Sequence, residues 1–344
     1  MINGSIKIAI IGGGLFGCNT AIQLSKNNKI HSIDIYEIKN SLLSVASSNN
    51  QHRFHTGYHY PRSKETIKQI RDSSESFLKK YSDCLFDIKN NYYFISSESR
   101  INFNDYKQTF VSESKELNNL EQFNQYLYID KLSGGLISNE KGINLTKLKN
   151  NIFNNLSNIK INIFTNTKWK FDYQKKYDFI INCSYYNPCL TTNNLNVKYE
   201  ICRLLLINNP YNLSDYSITI MDGPYSSLYA TENNNVYTLS NVEKTPFYKT
   251  SKLEELIKQY NQLDKYNFDQ VDDSILSKTK EYFKLDNIKI VGGYITPKVK
   301  ILNDFNDIRT TEILFEQKYI TVLQGKISTI QYAAEQIEKY IERL

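Results

Sequence analysis

Lys7-Ile8-Ala9-Ile10-Ile11-Gly12-Gly13-Gly14-Leu15-Phe16-Gly17 decides the architecture. Ile8 to Ile11 is a short apolar run rich in β-branched residues, the profile of a strand buried on both faces. Three glycines follow at once, and a helical pattern carrying Ala21, Ile22 and Leu24 takes over. A second strand, Ile33-Asp34-Ile35-Tyr36, then ends in Glu37, completing a β-α-β unit. In Gly12-x-Gly14-x-x-Gly17 the first glycine permits the tight turn. The second lets the backbone approach a pyrophosphate at the helix N-terminus, and the third lets helix and strand pack closely. Glu37 lies about 20 residues beyond the motif, placed to accept both ribose hydroxyls of an adenosine. An acid there disfavours a 2′-phosphate, so FAD or NAD is expected rather than NADP.

Beyond this unit, residues 41–62 read as irregular, rich in Ser and then in Asn, His, Tyr and Pro. Ser63 is placed to cap a helix whose apolar face carries Ile67, Ile70, Phe77 and Leu78. Residues 84–130 carry little pattern beyond a strand at Tyr92-Tyr93-Phe94-Ile95. A helix is expected from about Leu145 to Leu156, with strands at 159–164 and 177–182. The runs at 201–207, 216–221, 228–231 and 236–239, broken by Asn, Asp, Gly and Pro, predict antiparallel hairpins. Helices are expected near 251–262 and 272–283. The C-terminal end resumes the initial pattern, with a buried strand Tyr319–Leu323, a turn at Gly325, and an amphipathic helix carrying Ile330, Ala333, Ile337 and Ile341. A chain of 344 residues accommodates about two lobes. The reading is α/β: a Rossmann-like FAD-binding domain of the glutathione-reductase type, discontinuous over 1–83, 131–198 and 296–344, with an antiparallel-sheet substrate domain over 84–130 and 199–295.

Composition excludes more than it identifies. With 40 % apolar and 23 % charged residues the chain can bury a core, which excludes wholesale disorder. The 40 Asn and 27 Tyr fit the codon bias of an AT-rich genome. A net charge of +6 without Lys/Arg blocks gives no nucleic-acid footprint. No apolar run reaches the roughly 18 residues of a membrane span, and the N-terminus reads as a strand rather than a signal peptide. Cys18, Cys84, Cys183, Cys189 and Cys202 are odd in number with no CxxC pair, so neither a disulfide framework nor a zinc site is expected, and a cytoplasmic home is.

Three of the four histidines, His52, His55 and His59, share one short segment. Offsets of 3 and 7 would line a helix face for a metal, but Thr56, Gly57, Tyr58 and Pro61 disfavour a helix. In an extended segment His55 and His59 share a face with Gly57, and His52 points away. No metal is expected.

The stretch Ser47-Ser48-Asn49-Asn50-Gln51-His52-Arg53-Phe54-His55-Thr56-Gly57-Tyr58-His59-Tyr60-Pro61 resembles the flavin-facing segment of the D-amino-acid oxidase superfamily. It is most similar to the branch that includes L-2-hydroxyglutarate dehydrogenases. There an Asn-Ser-Gly-x-x-His-x-Gly-x-x-Tyr pattern lies against the isoalloxazine ring. Asn50, His55, Gly57 and Tyr60 match it; Gln51 and His52 depart from it. Gly135 through Leu148 resembles the family's glycine, acid, helix segment, and by that mapping Trp169 or its neighbours contact the adenine through the backbone. Tyr177–Asn182 resembles the strand that ends beside the cofactor, with Cys183-Ser184-Tyr185 where the family has Ala-Gly. Leu323-Gln324-Gly325-Lys326-Ile327-Ser328-Thr329 resembles the last flavin-binding turn, whose helix N-terminus faces the flavin C2 carbonyl. Asp222–Leu228 and Thr245-Pro246 look like a subgroup of uncharacterised FAD-dependent oxidoreductases.

The resemblance implies FAD, held by Gly12, Gly14, Leu15, Phe16, Gly17, Glu37, Ser48, Asn50, Gln51, Trp169, Gly325, Lys326, Ile327 and Ser328. It also implies oxidation of a small-molecule substrate by hydride transfer to flavin N5, with oxygen or another carrier as electron acceptor. CH–OH oxidation calls for a base near neutral pKa, for which His55 is the first choice, with Tyr60 lining the pocket. The family's amino-acid oxidases often carry Gly-Leu-Arg-Pro before the last flavin turn, its Arg clamping the substrate carboxylate. Gly293-Tyr294-Ile295-Thr296-Pro297-Lys298 lacks it. A hydroxyacid or sugar derivative is therefore preferred to an amine or amino acid. Lys298, Arg309 and Arg203 are the candidate anion-binding residues, and Arg53 is assigned to the cofactor. A protein of another class, a non-catalytic FAD- or NAD-binding scaffold or sensor, would show the same glycine fingerprint.

Overall fold

Ile8 and Ile10 face one side of a six-stranded sheet, and Ala9 and Ile11 face the other. The computed structural model describes residues 6–185, 187, 196–233, 235–286, 288–302, 308–323 and 325–343, so Cys189 and Gln324 lie outside the described residues. In spatial order the sheet runs Glu312–Glu316, Tyr319–Leu323, Phe179–Asn182, Ile6–Ile11, Ile30–Tyr36, Asn162–Phe164. All neighbours are parallel except the outer Glu312–Glu316 strand, which forms a hairpin with Tyr319–Leu323. A parallel sheet needs cover on both faces. Helices Leu15–Leu24, Lys64–Tyr81, Leu145–Ser157 and Ile330–Glu342 supply it on one face, through Ile22, Phe77, Leu148, Ile152, Ala333 and Ile337. On the other face a smaller aromatic cluster of Tyr36, Tyr177, Trp169, Tyr173 and Tyr319 packs on Ala9, Ile11 and Ile180.

Several helix starts follow from local chemistry. The Ser63 hydroxyl accepts the Thr66 N–H at 3.3 Å, and Asn144 Oδ1 accepts the Lys147 N–H at 2.8 Å, each satisfying a first-turn donor. Asn267 does the same for Gln270, so the helix expected from 272 begins earlier, as Phe268–Thr279.

The second sheet has nine strands. Its path is Pro246–Thr250, Val197–Asn208, Val236–Asn241, Ser226–Ala230, Tyr216–Met221, Asn90–Ser96, Leu132–Ser138, Ser114–Glu116, with Ile290–Ile301 paired along Val197–Asn208. The hairpins of the middle third are antiparallel, whereas Tyr216–Met221 runs parallel to Asn90–Ser96. Residues 132–138 and 290–301 both belong to this sheet, so its membership departs from the sequence-derived boundaries at 131 and 296. Gly134 and Gly135 pair with Ile95 and Phe94, and Thr296 to Lys300 complete a twelve-residue strand. Backbone pairing, invisible to a hydrophobic pattern, decides membership here.

Candidate active site

The glycine turn is built as its spacing demands. Gly12 has φ +100°, and a Cβ there would lie 2.6 Å from the Cys183 carbonyl oxygen. A Cβ on Gly17 would lie 2.0 Å from the Gly12 carbonyl oxygen. Gly14, by contrast, is in extended backbone and serves as N-cap of Leu15–Leu24, with no capping side chain and no acid in the first turn. The Leu15 N–H donates to Ser47 Oγ at 3.0 Å, which ties the turn to the irregular segment. Glu37 accepts the Gly13 and Lys39 N–H groups, both at 2.7 Å. A carboxylate has about four acceptor positions, so two remain for hydroxyls.

The segment 162–169 is anchored beside this acid. The Glu37 N–H donates to the Phe164 carbonyl and the Thr167 N–H to the Glu37 carbonyl, both at 2.9 Å. The Trp169 ring itself turns into the aromatic cluster, edge-on to Tyr36 at 5.1 Å. Ser48 donates to the Leu43 carbonyl, and Asn50 bonds within its own turn, to the carbonyls of Ala46 and Ser47 and from the His52 N–H. Gln51 reaches across to Ser240 of the second sheet. At the far end the Gly325 N–H donates to Thr311 Oγ1 at 3.0 Å, and the Ser328 hydroxyl is buried without a hydrogen-bond partner. Phe16 and Ile327 belong to the apolar core under these two turns.

Where the two sheets meet, His55, His59, Tyr60 and Lys326 come together. The His55 and His59 rings are 5.7 Å apart, each is 5.6 Å from Tyr60, and Lys326 Nζ sits 4.4 Å from the Tyr60 ring centre. The His55 side chain is 14 % exposed, so an edge remains reachable. Burial, then the Lys326 and Arg53 charges, hold His55 well below the ordinary histidine range, with His59 and Lys298 adding to it. Burial and the same three cations do so for His59. Arg53 Nη1 contacts His59 Nδ1 at 3.2 Å; a guanidinium only donates, so that nitrogen accepts. His52 points elsewhere, its Nδ1 2.6 Å from Glu232, and the three histidines do not converge on a metal site. Among the described residues no group of three or more His, Cys, Asp or Glu is placed to hold a metal ion.

Behind His55 lies the acid of the glycine, acid, helix segment, at a place the motif itself does not give. Glu140 is fully buried; its Oε1 accepts the Thr56 N–H at 2.9 Å and is 3.9 Å from His55 Nδ1, and its Oε2 accepts the Tyr93 hydroxyl. Arg53 donates to Tyr93 at 2.7 Å and to Thr219 at 2.9 Å, and its guanidinium lies 4.1 Å from the Tyr229 ring centre. The segment carrying His55 and His59 is thus fastened to the second sheet by a buried cation. Burial pushes the Glu140 carboxyl upward, and Arg53, Tyr93 and Thr56 pull it back. Replacing Arg53 with Met strands this carboxylate and is expected to cost about 3–5 kcal/mol. Urea unfolding measures it, and a loss under about 1 kcal/mol would contradict the account.

Acid should also destabilise the fold early. Histidines in the unfolded chain titrate near 6.5, above the folded values of His55 and His59. The unfolded state therefore holds more protons in that interval, and stability falls as pH drops below about 6.5, by up to ~1.4 kcal/mol per pH unit for each histidine. Denaturation series at successive pH values test this; equal stability on both sides of that point would refute it.

The remaining candidates are distributed unevenly. Lys298 is exposed on the Ile290–Ile301 strand, within electrostatic reach of both histidines. Arg309 packs through its backbone on the helix Lys64–Tyr81, its N–H donating to Thr66, and its carbonyl oxygen would lie 2.9 Å from a Cβ on Gly325. Arg203 is held by Asp272 in two 2.8 Å bonds, a structural role that corrects its candidacy for substrate. Arg62 and Asp222, which no motif marks as a pair, form an ion pair beside His59 and Tyr60. Cys18, Cys84, Cys183 and Cys202 are buried thiols outside any disulfide. Among the described residues no helix is long and apolar enough to cross a membrane.

No family model matches the chain. It is 26 % identical over 345 residues to the FAD-dependent monooxygenase FPY4 of Fusarium mangiferae, covering 98 % of this chain and 91 % of that protein. It is 22 % identical to the FAD-dependent monooxygenase kojA of Aspergillus flavus, covering 96 % and 85 %. Among solved structures it resembles L-α-glycerophosphate oxidase from Mycoplasma pneumoniae, with a TM-score of 0.70, 15 % identity and coverage of 98 % and 94 %. Glycine oxidase from Geobacillus kaustophilus gives a TM-score of 0.68 at 11 % identity, covering 98 % and 95 %. These likenesses span nearly the whole chain at low identity, and with the glycine turn on its parallel sheet they establish that this protein has the fold of the D-amino-acid-oxidase-type flavoenzymes.

Proposed function

We propose that the chain is an FAD-dependent oxidoreductase that oxidises a CH–OH group of a small polar substrate, a hydroxyacid or sugar derivative. The residues present fit FAD. Gly12 and Gly17 are positions where a Cβ would strike backbone, Gly14 leaves the helix N-terminus open to a pyrophosphate, and Glu37 retains acceptor capacity for ribose. Leu15 and Phe16 continue the phosphate-facing turn. Backbone near Trp169 serves the adenine, Ser48, Asn50 and Gln51 shape the loop along the ring, and the turn from Gly325 through Lys326 and Ile327 brings the unpartnered Ser328 hydroxyl to its far end. FAD, when bound, supplies the hydride acceptor. The first lobe holds it, and the second sheet closes the substrate side.

The observation that carries the reading is His55: reachable at one edge, backed by Glu140, and kept neutral by burial and by Lys326 and Arg53. A neutral imidazole takes the substrate hydroxyl proton, while His59, Tyr60 and Lys326 hold the oxygen in place. Similarity of residues 50–60 to the L-2-hydroxyglutarate dehydrogenase segment and the missing Arg before Lys298 favour a hydroxyl over an amine. The names of the relatives favour a second reading, monooxygenation, with oxygen as co-substrate and a nicotinamide-type donor supplying the two electrons that reduce the flavin. Anaerobic mixing with hydroxyacids, amino acids and sugar derivatives tests the proposal. Bleaching of the yellow flavin band by a hydroxyl substrate is expected. Bleaching by amines alone would replace CH–OH with amine oxidation; in a separate aerobic turnover under labelled dioxygen with a nicotinamide donor, oxygen-18 appearing in product would favour the monooxygenase. A yellow protein bleached neither by the panel nor by a nicotinamide donor would be a scaffold, and failure to take up FAD would end the reading.

A further inference from the structure

A small cleft opens beside the histidine pair, lined by His59, Tyr60, Pro61, Arg62, Ser63 and Asp222. Its electrostatics point one way. Ser63 caps the 18-residue helix Lys64–Tyr81, so the cleft abuts the positive end of a helix dipole. Arg62 projects from the preceding position with its side chain 29 % exposed. The Arg62 guanidinium is held by the Asp222 carboxylate, through Nε and, at 3.5 Å, through Nη2. Asp222 is fixed from behind: its N–H donates to Ser99 Oγ at 2.9 Å, and its carbonyl accepts the Arg100 N–H at 3.0 Å. A carboxylate therefore already occupies the position an incoming oxyanion would take, as an internal stand-in. Around it, Arg53 is matched by Glu140, while Lys298 and Lys326 add positive potential at His55 and His59.

We propose that the substrate carries an oxyanion, a carboxylate or a phosphate, and that Arg62 reads it by exchanging Asp222 for the substrate group. This rests on the oxidoreductase reading above and narrows its substrate class. A guanidinium clamp at the mouth, with His55 deeper in, would set the distance between the anionic group and the carbon to be oxidised.

Calorimetric titration of FAD-loaded protein tests the inference with three probes of one shape: benzoate, phenyl phosphate and the neutral benzamide. Absorbance of bound FAD is measured first, so loss of the cofactor reading is seen separately from loss of this one. Wild type should bind benzoate or phenyl phosphate at least tenfold more tightly than benzamide, the tighter of the two naming the oxyanion. Arg62→Gln should remove that preference while leaving benzamide binding and FAD retention unchanged. Asp222→Asn, which removes the internal competitor, should tighten anion binding several-fold. The double variant, which leaves no unpaired carboxylate to disturb folding, should also lack the preference. Equal binding of anions and benzamide by wild type, or an undiminished anion preference in either Arg62 variant, would overturn the proposal.

Discussion

Replacing His55 with Ala slows cofactor reduction by about 10²–10⁴-fold while FAD stays bound. The size follows from losing a positioned base, and the retention follows from geometry, because His55 makes its contacts with His59, Tyr60 and Glu140 rather than with the glycine turn. Rapid-mixing spectroscopy under anaerobic conditions reads the rate directly. Its pH profile adds a sharper check. The base must be neutral to act, and the folded protein holds His55 well below the ordinary range. The rate in wild type is therefore level across neutral pH and falls only in acid. After burial, the Lys326 charge is the largest cause of that shift. Lys326→Met should move the acid limb upward, toward the ordinary histidine value of about 6.5. An unchanged reductive rate in His55→Ala would remove His55 from the chemistry, and an unmoved acid limb in Lys326→Met would remove the stated cause of its neutrality.

The glycines of the fingerprint should fail in two different ways. Gly14→Val is expected to fold but to lose FAD. Its backbone is extended, a conformation open to any residue, and the nearest atom to an added Cβ is a side-chain oxygen, Ser47 Oγ at 3.2 Å. The new side chain then occupies the approach to the helix N-terminus, where the pyrophosphate is met. Gly17→Ala is expected to damage the fold itself, because its Cβ would stand 2.0 Å from the Gly12 carbonyl oxygen. Backbone cannot move aside cheaply there: the Gly12 N–H is bonded to the Tyr36 carbonyl at 2.8 Å. Circular dichroism and flavin absorbance on both variants separate the two failures. A Gly14→Val protein that holds FAD as tightly as wild type would refute the phosphate-loop role. A Gly17→Ala protein of native stability would refute the packing argument.

Local determination explains much of what the chain itself makes legible. The β-α-β unit, the Ser63 cap, the helix from Leu145 and the closing strand and helix all stand where local pattern puts them, because each is determined within a few turns of chain. The pairing of His55 with His59 away from His52 is also readable, although Gly57 at φ +117° puts a turn where extended chain is expected. The sheet boundaries are not readable, since Leu132–Ser138 joins the second sheet through backbone pairing with Asn90–Ser96, which leaves no periodic trace.

The sequence by itself determined the nucleotide-binding frame, because Gly12, Gly14, Gly17 and Glu37 act through backbone sterics and a fixed spacing that no distant residue need supply. Tertiary structure alone decided the chemistry around His55. Glu140 is the acid of the glycine, acid, helix segment, but only the fold brings it to Thr56, 84 positions away. Asp222 follows a strand, and it meets Arg62 across 160 positions. What makes these charges matter is shared burial. Arg53 acquires Glu140 as a partner, and His55 is held neutral, because folding removes the water between segments far apart in the chain.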